Sequence, residues 1–106
     1  MKIVGVQFRP KEAVELLKAQ KIGNTVFLKR ETDNAYDKNA IKVLVPNLET
    51  DRLVHVGYVA REEAQLLCEK WESGRLGYGQ LNEKRAFVFQ GYIALADIRR
   101  LLLQNQ

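Results

Sequence analysis

The chain has almost none of the residues from which disulfides and metal centres are built. It holds one cysteine, Cys68, and one histidine, His55, in 106 residues. One cysteine closes no internal disulfide, so a reducing compartment is the simpler expectation. A metal centre draws on several His, Cys or carboxylate ligands at set spacing, and none is expected here; nor is any cofactor. The only serine, Ser73, reads as part of a helix end. No run approaches the ~18–20 apolar residues that cross a bilayer. The apolar part of "MKIVGVQF" is too short for a signal peptide. The two glycines of "RLGYGQL" lack the spacing and the lysine of a phosphate-binding loop. With no repeat, low-complexity tract or linker, residues 1–106 are expected to form one domain.

What is present is ordinary for a soluble globular protein: 46% hydrophobic and 28% charged residues. The net charge of +4 and pI near 9.3 fit a nucleic-acid partner without requiring one.

Read in order, "KIVGVQF" (2–8) alternates as a strand, and Pro10 suits the first turn of a helix over 10–22 that Gly23 stops. "NTVFLKRE" (24–31) and "NAIKVLV" (39–45) are strands; in the second, Ile41, Val43 and Val45 face one way and Lys42 and Leu44 the other. "NLETD" is a turn and "RLVHVGYV" (52–59) a further strand. "REEAQLLCEKWESG" (61–74) is the clearest helix, with acids at its positive end and Gly74 closing it. Ala64, Leu67, Cys68 and Trp71 form one buried stripe on it, so Cys68 reads as packing. "RLGYGQL" and "RAFVFQGYI" make a hairpin, and 94–106 forms a helical tail with Ile98, Leu101 and Leu102 on one face, widened by Leu95 and Leu103. Short strands interrupted by helices predict a mainly β protein: an OB-like, partly open barrel of about six strands with two or three helices.

Between two of those strands lies "RETDNAYDKNAIKV" (30–43). Asp and Asn side chains build turns by bonding nearby backbone, which accounts for Asp33, Asn34, Asp37 and Asn39. It does not account for Tyr36, a large amphipathic ring at the tip of a polar loop, nor for a second Gly–Tyr, Gly57–Tyr58, on another strand. Asp33, Asp37, Glu31, Glu62 and Glu63 are acids that a fold brings together in some hydrolases, yet nothing in the sequence singles out a catalytic pair.

Three blocks, "VGVQFR" (4–9), "RETDNAYDKNAIKV" (30–43) and "VGYVAREEAQLL" (56–67), resemble in order and spacing the signature of the HIRAN domain. That module occurs in the helicase-like transcription factor and related SWI/SNF-type ATPases, and alone or fused in bacteria. The resemblance spans residues 3–93, and its specific part is N-x-Y-D-x-N-A-I-x-V; Ala35 stands where family members usually carry proline. It implies a non-enzymatic module for the free 3′-OH end of single-stranded DNA, a recognition part of a repair, replication-fork or DNA-processing system. The implied DNA-binding residues are Phe8 against a base, Tyr36 against the terminal nucleotide, Asp37 at the terminal hydroxyl, Asn34 before the pair, Tyr58, and Arg61 near phosphate; Arg9, beside Phe8, is also expected to contact phosphate. The implied partner protein is a larger ATPase, nuclease or other DNA-processing protein, in cis or in trans, and no membrane. The compartment follows the source: cytoplasm for a bacterial or phage protein, nucleus for a piece of a eukaryotic one. Rival expectations are a protein-interaction module on the same fold and a small acidic-residue nuclease.

Overall fold

The computed structural model describes residues 1–103. Six antiparallel strands run β1 (Ile3–Val4), β2 (Thr25–Arg30), β3 (Ile41–Asn47), β4 (Arg52–Val59), β5 (Leu76–Glu83) and β6 (Ala86–Ile93). They form one sheet in the order β1-β4-β3-β2-β5-β6, curled into a half-barrel. Three helices accompany it: α1 (Lys11–Lys18), α2 (Arg61–Glu69) and α3 (Ile98–Leu103). This is the mainly β, partly open barrel that the short strands predict.

Side-chain alternation gives the sheet two apolar faces. Val26 and Leu28 of β2 and Ile41, Val43 and Val45 of β3 point into the main core, where Ala13 and Leu17 of α1 and Ala64 and Leu67 of α2 cover them. The intervening Phe27 and Leu44 point the other way and are covered by Ile98, with Leu101 and Leu102 packed alongside. The C-terminal helix thus closes part of the second face. Leu95 does not widen its apolar side; it is 70% exposed, in a 3-10 turn that precedes the helix. The last three residues of the expected tail, 104–106, lie outside the described residues.

Three elements are shorter than periodicity predicts. The first strand stops at Val4 because Gly5 takes a left-handed φ of 72°, and Val6–Phe8 continue as a 3-10 turn. Pro10 caps α1 from outside, and the helix ends at Lys18 instead of residue 22. The chain there is drawn towards β5, where the Gly23 amide bonds the Leu81 carbonyl at 2.8 Å. Helix α2 ends at Glu69, as Lys70 leaves helical angles. Trp71 lies past the helix yet still packs against the core, its indole N–H donating to the Arg75 carbonyl at 3.2 Å.

Strand β4 carries the irregularity that matters for the site. Val43 pairs with Gly57 while Leu44 pairs with His55, so Val56 is an extra residue. In a regular strand His55 and Tyr58, three apart, would lie on opposite faces. The bulge puts both on the second face, their rings edge to face at 4.8 Å. Gly57 itself is required: a Cβ there would lie 2.8 Å from Ile3 Cγ2 and 2.9 Å from the Val4 carbonyl oxygen.

Candidate nucleic-acid interface

The β2–β3 loop is organised by one side chain. Asn34 Oδ1 accepts from the backbone N–H groups of Tyr36 (2.8 Å) and Asp37 (2.9 Å), which bends the chain sharply. Its amide nitrogen donates to Glu31 Oε1 at 2.8 Å. The Asn34 side chain therefore acts inside the loop. Asp37 Oδ1 accepts from the Asn39 N–H at 2.9 Å, and Oδ2 faces Arg61 Nε at a loose 3.9 Å. Arg61 opens α2, where free backbone N–H groups already favour anions. Asn34, Tyr36, Asp37 and Arg61 border one open pocket of about 410 Å³.

Tyr36 is 95% exposed and Phe8 82%. Rings of that size are normally half covered at least, so both stand ready for a flat apolar partner. Phe8 is held by the 3-10 turn and by its neighbour Arg9, whose Nε donates to the His55 carbonyl at 3.1 Å. The Tyr58 ring lies close to Gly5, and its hydroxyl donates to Glu31 Oε1 at 2.9 Å.

Glu31 is thus the centre of the array, and the sequence reading missed it. It takes hydrogen bonds from Asn34 and Tyr58 and an ion pair from Lys42 at 3.1 Å. Burial pushes its carboxyl up, but these bonds and the Lys42 charge outweigh that and leave it below the ordinary 4.5. Tyr58 is shifted the other way, raised by burial and by its bond to Glu31. The His55 imidazole pKa is lowered by burial and by the Arg9 charge. The only sequence signal for Glu31 is its place just past the end of a strand, at the start of the polar loop.

Of the expected residues, Asn34, Tyr36, Asp37 and Arg61 share the pocket, Tyr58 is tied to it through Glu31, and Arg9, next to Phe8, is anchored to the His55 carbonyl of the same strand as Tyr58. The HIRAN domain family matches this chain over residues 1–83, which takes in every one of them. The chain belongs to the HIRAN domain family. HIRAN domains are nucleic-acid-binding modules, and the exposed Tyr36 ring sharing a pocket with Arg61 suits such a module. No curated protein and no solved structure matches the chain.

Proposed function

We propose that this HIRAN domain holds the free 3′-hydroxyl end of single-stranded DNA and performs no chemistry on it. It would serve as the recognition part of a repair, replication-fork or other DNA-processing assembly whose motor or nuclease is a larger partner. The observation that carries this reading is the pocket rim, where a carboxylate with a loosely engaged oxygen, a guanidinium and a fully exposed tyrosine ring stand together. A carboxylate accepts a hydrogen bond from a hydroxyl and repels a phosphate, so Asp37 favours a strand's end over its interior. Arg61 beside it suits the phosphate that joins the terminal nucleotide to the next. Tyr36 and Phe8 supply stacking, worth ~1–3 kcal/mol per base and tolerant of sequence.

The acids are distributed in keeping with binding. Glu31 is occupied by its donors, Glu63 takes the Lys2 N–H, and Asp37 serves its own loop. Among the described residues no three His, Cys, Asp or Glu side chains gather as a metal-dependent nuclease site would need.

The test is binding of labelled decathymidylate with a 3′-OH, with a 3′-phosphate, or closed into a circle. A dianionic phosphate against Asp37 loses a charge-assisted hydrogen bond and adds repulsion, together ~2–3 kcal/mol or one to two decades in affinity. Asp37→Ala should weaken 3′-OH binding and shrink the discrimination, while Tyr36→Ala should weaken binding and leave a preference for the hydroxyl. Equal binding of the three strands by the unaltered protein would overturn end recognition.

A further inference from the structure

The second face of the sheet is only half covered. Its apolar part lies under α3, and its other part opens as a cleft of about 700 Å³ that reaches from β4 across β3 and β2 to the turn before β5. Lys29, Arg30, Lys42 and Arg75 border this cleft, and among the described residues no acidic side chain does.

Several features of the cleft are unfavourable for the protein alone. Lys29 and Lys42 are direct cross-strand partners, and like charges opposite one another destabilise a sheet. Glu31 compensates Lys42, and Glu72 faces Arg75 at 3.4 Å, but among the described residues Lys29 has no ion-pair partner. Arg30 Nε and His55 Nε2 are buried without a hydrogen-bond partner among the described residues, and both residues border the cleft. Trp71 and His55 give the cleft aromatic walls, the indole fixed by the Arg75 carbonyl and by an edge contact with Tyr92 at 5.2 Å. Cationic walls interleaved with rings are the pattern that follows a nucleic-acid backbone.

We infer that this cleft carries the interior phosphates of the strand whose end occupies the Tyr36–Asp37 pocket. For the direction of the strand this rests on the end-recognition reading; the cleft's own affinity does not. The two places are joined through Glu31, which pairs with Lys42 of the cleft and holds Asn34 of the pocket. A strand leaving the pocket meets Lys42, then Lys29, and passes towards Arg75.

The experiment uses the three decathymidylate strands with the protein carrying Lys29→Ala and Arg75→Ala together. Interior contacts do not read an end, so binding of all three strands should weaken by a similar factor, ~10-fold. The slope of log affinity against log salt should fall by ~1.4, at ~0.7 per lost phosphate contact on a single strand. The charge-keeping pair Lys29→Arg and Arg75→Lys should restore most of both, which separates lost charge from a disturbed fold. Unchanged affinity and slope in the alanine pair would overturn the cleft and leave end recognition standing. Equal binding of the three strands by the unaltered protein would overturn end recognition, and a persisting alanine-pair loss would still support the cleft. Displacement of the strand by a hexaglutamate peptide at matched charge, as readily as by unlabelled strand, would overturn its assignment to nucleic acid.

Discussion

Glu31 joins the strand β3, the loop and the bulged strand β4 through a single carboxylate that is only 17% exposed. Its lowered pKa has a consequence for stability. The folded value lies below the unfolded one, so the stabilisation is fully present above the ordinary 4.5 and is lost as pH falls through the folded value. Glu31→Gln should therefore cost ~1.5–3 kcal/mol at neutral pH, the range for hydrogen bonds to a charged group, and leave Lys42 and Lys29 facing each other uncompensated. Urea unfolding at neutral pH and at about pH 3 checks it: the gap between variant and parent should close in acid. A gap that persists in acid would assign the stabilisation to shape, not charge. At this scale the sequence displayed Phe8, Tyr36, Asp37 and Arg61, because rings and a basic helix start are conspicuous in a polar setting. It hid Glu31 and the role of His55, whose partners come from the pairing of strands and from Arg9, 46 residues away.

Elements are defined by what covers them, and α2 illustrates both sides of this. Its stripe was legible: Ala64 and Leu67 are buried in the main core, with Cys68 and Trp71 packed against it. Leu67→Ala should cost ~2–5 kcal/mol as a cavity mutation, measured by urea unfolding. A loss of a few tenths would mean that the neighbours collapse into the space. The end of the helix was not legible, because Trp71 continues the helical spacing while being held from outside by Arg75 and Tyr92. The first strand misled for a related reason. Alternation through "IVGVQF" is real, but Gly5 turns the chain at φ 72° and converts the strand's second half into the mount for Phe8. In both places a tertiary contact, invisible to local periodicity, ends an element and creates part of the interface.

For the whole molecule, the sheet stands between two apolar clusters, and its second face is divided between a covering helix and an open cationic cleft. Periodicity located the helix, but only the curled sheet shows that α3 and the cleft share a face. Removing everything after Ala94 separates the two roles. It deletes Ile98, which is buried, together with Leu101 and Leu102, and uncovers Phe27 and Leu44. Loss of Ile98 alone has the energetics of a core deletion, so the shortened chain should be less stable by at least ~2–5 kcal/mol in urea. An apolar patch newly open to water drives association, so light scattering should report dimers or larger species for the shortened chain. The loop pocket should survive, because it is held by the bonds of Asn34 and Glu31 to the loop, Lys42 and Tyr58. Where the shortened chain remains folded, 3′-OH strands should still bind better than 3′-phosphorylated ones. Equal stability and mass for the two chains would mean that α3 contributes nothing to the fold. Loss of the end preference in a folded, shortened chain would mean instead that the covered half of the face positions the site.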